Sequence, residues 1–213
     1  MTATPIRLAV FDMEGTLTAS PTVWELMHLK VGTWESHGKP YWDLYRAGGL
    51  AYDEFARMDV AAWKGAAVDL LDRSVREVPL MPGCADLMAE LNARGIPSMI
   101  ISNGLERLAL RLMCEFGLRR VMANRETVLD GLLTGEVELR VPFDRKAETM
   151  LAAAGEMGVA PENILAVGDG TADVAMFRAA GRSVAFVPEN DRVAGEADHV
   201  VDQPDLRRLI PLL

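Results

Sequence analysis

A few short, largely apolar runs, most stopping at small polar or acidic residues, constrain this chain more than any other feature. Ile6–Phe11 (IRLAVF), Pro97–Ser102 (PSMIIS), Ile164–Gly168 (ILAVG) and Ser183–Val187 (SVAFV) are too short for buried helices and lack the alternation of half-exposed strands. They read as strands of a parallel sheet covered on both faces. His199–Val201 is a candidate fifth, short strand. Helical patterns lie between them. Cys84–Arg94, Leu105–Phe116, Arg145–Met157 and Ala172–Ala180 are each followed by a glycine, the usual helix stop. Strands alternating with helices predict right-handed crossovers and an α/β fold with a doubly wound, Rossmann-like parallel sheet.

Two segments interrupt the alternation. Val121–Leu139 carries Asp130-Gly131 between two extended runs, a strong hairpin signal. Pro21–Pro79 offers no convincing core strand, yet holds all four tryptophans and all three tyrosines. The expected organisation is a core of residues 1–20 and 80–213, with a helical cap of residues 21–79 inserted after the first strand. Most of the aromatics are expected to fill the cap's own small core, and some to face a substrate pocket.

Composition narrows the classes. The 213 residues suffice for one core with a small accessory module. A net charge of -9 argues against nucleic acid and anionic membrane surfaces, but not against a small anionic ligand held in a local cationic pocket. Cys84 and Cys114 have no metal spacing and read as reduced, partly buried thiols. His28, His37 and His199 are not spaced as ligands and are expected at the surface or in the cap. No signal segment or membrane span is legible at the N-terminus, so a cytoplasmic monomer or homodimer is expected.

Ligands of open α/β sheets bind at the carboxyl ends of the strands. The first strand is followed by Asp12-Met13-Glu14-Gly15-Thr16, the second ends in Ser102-Asn103-Gly104, and the third is followed by Asp169-Gly170-Thr171-Ala172-Asp173. One such carboxylate would be read as a cap or turn. Four at one edge repel one another and call for a cation. Mg2+ fits, with Asp12 and Asp169 as direct ligands, Asp173 as a ligand or the holder of a bound water, and the Glu14 carbonyl as a further oxygen. Lys146 opens a helix and reads equally as solvated surface or as a phosphate clamp.

Taken together, Phe11-Asp12-Met13-Glu14-Gly15-Thr16-Leu17-Thr18, Ile100-Ile101-Ser102-Asn103-Gly104, Lys146, and Val167-Gly168-Asp169-Gly170-Thr171-Ala172-Asp173 resemble the four ordered motifs of the haloacid dehalogenase superfamily. The chain is most similar to the phosphoserine phosphatase group within it, through Ala123-Asn124-Arg125, Leu133-Thr134-Gly135-Glu136-Val137, Glu196-Ala197-Asp198 and Asp205-Leu206-Arg207 as well. The resemblance implies a Mg2+-dependent phosphatase for a small phosphorylated metabolite. In it Asp12 is the nucleophile and Glu14 the general acid and base. Ser102, Asn103, Gly104 and Lys146 bind phosphate.

The chain departs from that pattern in three respects. Glu14 stands where the family has Asp, and Ala172 where the phosphoserine phosphatases have Asn. Pro21 and Asp59 stand where that group places a glutamate and an arginine for the substrate's amine and carboxylate. The last departure implies a small phosphomonoester without a carboxylate, or with an added cationic group, in place of phosphoserine. Alternative readings are a phosphotransferase passing phosphate from Asp12 to an alcohol, a non-catalytic phospho-aspartate signalling protein, and a binding protein that has lost turnover.

Overall fold

The computed structural model describes residues 4–213. Seven strands form one sheet: β1 (Leu8–Phe11), β2 (Ser98–Leu105), β3 (Arg120–Leu129), β4 (Leu132–Glu138), β5 (Ile164–Gly168), β6 (Arg182–Phe186) and β7 (His199–Val201). Their order is β4-β3-β2-β1-β5-β6-β7, and every pairing is parallel except β3–β4. The helices are α1 (Val23–Val31), α2 (Lys39–Arg46), α3 (Tyr52–Ala61), α4 (Val68–Glu77), α5 (Cys84–Ala93), α6 (Glu106–Phe116), α7 (Lys146–Glu156), α8 (Val174–Ala179) and the short α9 (Asp191–Ala194). No helix among the described residues is long and apolar enough to cross a membrane.

Side-chain alternation along the strands builds a layer on each face. Ala9, Phe11 and Ile100 point to one side and pack with Leu87 and Leu91 of α5 and Leu108 and Leu112 of α6. Leu8, Val10, Met99 and Ile101 point to the other, against Met150 of α7 and Met176 and Phe177 of α8. Residues on both faces of β1 are fully buried, which explains why IRLAVF carries no polar alternation.

Several expected boundaries move. Asn103 and Gly104, beyond the expected strand Pro97–Ser102, continue β2, and the register with β3 shifts between Ile101 and Leu105. A bulge of this kind re-aims side chains beside a site. The expected helix Ala172–Ala180 begins as a 3-10 turn, Thr171–Asp173, and becomes α-helical only at Val174. Gly181 is no left-handed stop. A side chain there would strike the Glu162 backbone.

The hairpin is part of the sheet rather than a break in it, because its first arm pairs with β2 before leaving the layer. Asp130 (φ 51°) and Gly131 (φ 77°) both take the left-handed conformation that a two-residue hairpin turn requires. The free edge of β4 is covered by the α3–α4 loop. Leu133 N–H donates to Ala66 O at 2.8 Å, and Gly65 N–H to Leu133 O at 2.8 Å. That pairing closes an otherwise open edge.

Residues 21–79 contribute α1–α4 and no strand of the sheet. Their apolar side chains, Val23, Met27, Val60 and Trp63 among them, are continuous with the cluster under Phe11 and Met13. His28, expected at the surface or within residues 21–79, lies in the latter and is fully buried there. Its Nδ1 lies 2.8 Å from Thr33 Oγ1 and its Nε2 3.2 Å from Asp59 Oδ1, polar neighbours that allow the burial. Cys84 is buried, and Cys114 is exposed rather than partly covered.

Candidate functional site

The chain order reverses at β1, with β2 and β3 to one side and β5 to β7 to the other. The carboxyl ends of β1, β2 and β5 meet at this reversal, where a crevice must open. Asp12 follows β1, Ser102, Asn103 and Gly104 close β2, and Asp169 follows β5. All of them line one cavity of about 440 Å³, together with Glu14, Lys146 and Asp173. Every residue singled out for chemistry in the sequence is thus brought to one place.

Lys146, ambiguous in the sequence, is 1% exposed. Its Nζ donates to Asp12 Oδ1 at 2.7 Å and to Asp173 Oδ1 at 2.6 Å. Burial alone would lower its pKa. The two carboxylates more than offset that and hold it above the usual lysine range. Asp173 Oδ2 accepts from the amides of Asp169 (3.1 Å) and Gly170 (3.0 Å), so both its oxygens are held. Gly168 makes this possible, because a side chain there would collide with the Asp173 carboxyl.

Asp12, Asp169 and Asp173 offer oxygens that lie within 4.8 Å of one another. Burial raises the pKa of Asp12 against the pull of Lys146. Asp169 is raised further, by burial and then by the charges of Asp12 and Asp173, although Thr16 Oγ1 donates to its Oδ1 at 2.9 Å. Three carboxylates facing one ammonium leave the site short of two positive charges. A hard divalent cation supplies that charge and takes oxygen ligands, so the donor set fits one.

Glu14 serves a different purpose. Its Oε2 accepts from Trp24 Nε1 at 2.9 Å and its Oε1 from Val23 N–H at 3.2 Å. Burial pushes its pKa up to about 7 despite both bonds. A carboxyl so placed exchanges a proton near neutral pH. The absence of a side chain at Gly104 leaves it room, since a Cβ there would lie 2.8 Å from Glu14 Oε2.

Ser102 Oγ accepts from Gly104 N–H at 3.1 Å. The Asn103 side chain donates to Val141 O at 2.7 Å, while the Asn103 backbone carbonyl accepts from Tyr52 Oη (2.6 Å) and Asn124 Nδ2 (2.7 Å). These bonds replace ladder partners lost at the bulge and brace the end of β2.

Sequence reasoning missed the supporting residues. Thr16 and Asn124 gave no signal beyond sitting in or near a motif. Trp24 was part of a visible aromatic cluster, but its partner Glu14 is set by tertiary contact. The expectation that most aromatics only fill the cap is corrected. Trp24, Trp34, Trp42, Tyr45 and Tyr52 line the cavity, leaving Trp63 and Tyr41 outside it. They do so because α1 to α3 lean over the strand ends. Glu189 was also unforeseen. Its carboxylate accepts from Thr171 N–H at 2.9 Å and its N–H donates to Asp169 O at 2.9 Å. The loop that carries it starts at Val187, a β-branched residue held at φ 45°.

Comparison with known proteins places these features in a family. Residues 9–178 match the model of the haloacid dehalogenase-like hydrolases. The chain is 28% identical over 205 residues to a phosphoserine phosphatase of Methanocaldococcus jannaschii, covering 96% of each. It is 30% identical over 206 residues to one of Wolinella succinogenes, covering 96% of this chain and 98% of that one. A solved phosphoserine phosphatase carrying an analogue of the phospho-aspartyl intermediate superimposes with a TM-score of 0.88 at 26% identity, over 99% of this chain and 100% of the other. A substrate-bound phosphoserine phosphatase does so with a TM-score of 0.89 at 26% identity, over 99% of both.

Proposed function

The chain belongs to the haloacid dehalogenase-like hydrolases, and we propose that it is a Mg2+-dependent phosphatase of small phosphomonoesters that works through a phosphorylated Asp12. The observation that carries this reading is the pairing of two unlike carboxyl groups at one cavity. Asp12 is bound to Lys146 in an acidic cluster. Glu14, set apart from that cluster by Trp24, holds its proton near neutral pH.

The roles follow from position. An Asp12 carboxylate oxygen attacks phosphorus in line, forming a P–O bond to Asp12 as the ester P–O bond breaks. The departing alkoxide takes the proton of Glu14. Glu14, now ionised, then removes a proton from a water whose oxygen attacks the same phosphorus. The bond to Asp12 breaks, inorganic phosphate leaves, and both carboxyl groups return to their starting states. Lys146, the Ser102 hydroxyl and the Gly104 amide face the non-transferred oxygens, where charge spreads in the transition state, and Asn103 fixes the strand end that presents them. Asp12, the Glu14 carbonyl and Asp169 would hold Mg2+, with Asp173 acting directly or through water. The ion would neutralise phosphate as it nears Asp12. Residues 21–79 act as the cap that keeps bulk water from this step.

The test is phosphate release from a panel of small phosphomonoesters, with Mg2+ and with a chelator, by the wild type and by Asp12→Asn. Release that needs Mg2+ and disappears in Asp12→Asn supports the reading. Release that persists in Asp12→Asn contradicts it.

A further inference from the structure

The part of the cavity away from Asp12 has a chemistry of its own. Tyr52, Phe55 and Asp59 lie on α3 at spacings of three and four residues, which puts them on one helix face, and all three line the cavity. Phe55 is the hub of an aromatic box. The rings of Trp24, Trp42, Tyr45 and Tyr52 each lie within 6.0 Å of it, centroid to centroid, and the four line the same cavity.

Asp59 is 1% exposed. Its Oδ1 approaches His28 Nε2 at 3.2 Å without the alignment of a good hydrogen bond. Burial raises the pKa of Asp59 against the pull of His28. Beyond the reacting centre, Glu25 and Glu189 also line the cavity, and Arg46 is the one further cation among its described residues. Arg46 is exposed and its guanidinium lies 5.7 Å from the Trp42 ring centre. Lys146 is already shared by Asp12 and Asp173. The leaving-group end is therefore aromatic and acidic, with no buried cation free to meet a carboxylate.

We infer that the cavity selects phosphate monoesters of amino alcohols, whose ammonium, primary or alkylated, rests in the aromatic box beside Asp59 and whose carbon chain carries no carboxylate. Electron-rich ring faces attract such a cation, and a buried carboxylate beside only a poorly aligned imidazole gains a donor. A carboxylate in the same place would face Asp59, Glu25 and Glu189. This inference rests on the phosphatase reading above and narrows it.

The test compares kcat/KM for propyl phosphate, its size match 2-aminoethyl phosphate, and the larger 2-(trimethylammonio)ethyl phosphate and O-phosphoserine, in wild type, Asp59→Asn and Trp42→Leu. The ammonium esters should exceed propyl phosphate by about tenfold or more, and O-phosphoserine should fall below 2-aminoethyl phosphate. Asp59→Asn should bring the ammonium-to-neutral ratio towards one. If that variant does not fold, Trp42→Leu, at an exposed position, should still lower the ratio for the trimethylammonium ester. Hydrolysis of all esters without an ammonium preference, or with O-phosphoserine foremost, would overturn the inference and leave the phosphatase reading standing. Release from none of the four would overturn both.

Discussion

The Trp24 indole N–H donates to Glu14 Oε2 at 2.9 Å, joining the first helix after the nucleophile loop to the carboxyl proposed to move the proton. The bond stabilises the ionised form of Glu14 and so opposes the burial that, on balance, leaves its pKa raised to about 7. Leaving-group departure needs Glu14 protonated, so kcat/KM for an alkyl phosphate should fall as pH rises through that value. Trp24→Phe removes the donor and lets the pKa rise further. Its descending limb should move to higher pH, with turnover about tenfold lower from the lost alignment. An unmoved limb would separate Trp24 from proton transfer.

Glu14→Gln keeps the side chain's size and removes the transferable proton. Alkyl esters, whose alkoxide must be protonated, should slow by about 10²–10⁴-fold. p-Nitrophenyl phosphate needs little help to leave, so its first step should survive. The second step still needs a base, and a burst of nitrophenol followed by a slow phase is expected in stopped flow. Equal losses on both ester types would contradict the assigned role.

Lys146 bridges two buried carboxylates. Lys146→Met would leave Asp12 and Asp173 facing each other without compensation, a loss of about 3–5 kcal/mol in the metal-free protein. Denaturant unfolding should show this loss in chelator and a smaller one with excess Mg2+. Phosphate release should be lost in both conditions.

The raised pKa values of Asp12 and Asp169 also bear on stability. For a carboxyl raised on folding, stability is fully present below its unfolded pKa and is lost as pH rises through the folded one. The metal-free protein should thus lose stability from mildly acidic towards alkaline pH. Mg2+ competes with those protons, so its stabilisation should be larger at mildly alkaline than at mildly acidic pH. Thermal melts at both, with Mg2+ or chelator, check this. A metal shift independent of pH would contradict it.

The sheet and its reacting edge were legible because two local signals coincided. Apolar runs such as Ile6–Phe11 and Ile164–Gly168 have no reading as amphipathic helices, and the acids after them stand where strand ends must meet. Lys146 was ambiguous because a residue at a helix start carries no mark of what faces it. Only the packing of α7 against β2 and α8, which brings it to Asp12 and Asp173, buries it. His28 and Asp59 were missed as a pair for the same reason. They sit 31 residues apart on different helices, and neither has a polar neighbour in sequence that signals burial. The bulge in β2 was hidden because Ser-Asn-Gly is turn chemistry, and the bonds that keep it in the sheet come from Tyr52 and Asn124.

The most direct measurement is the identity of the residue that carries phosphate during turnover. Glu14→Gln mixed with p-nitrophenyl phosphate and Mg2+, quenched in acid during the slow phase and reduced with borohydride, should yield one modified peptide, reduced at Asp12. Asp12→Asn treated alike should yield none. Modification at any other residue, or its absence while nitrophenol is released in a burst, would contradict the account.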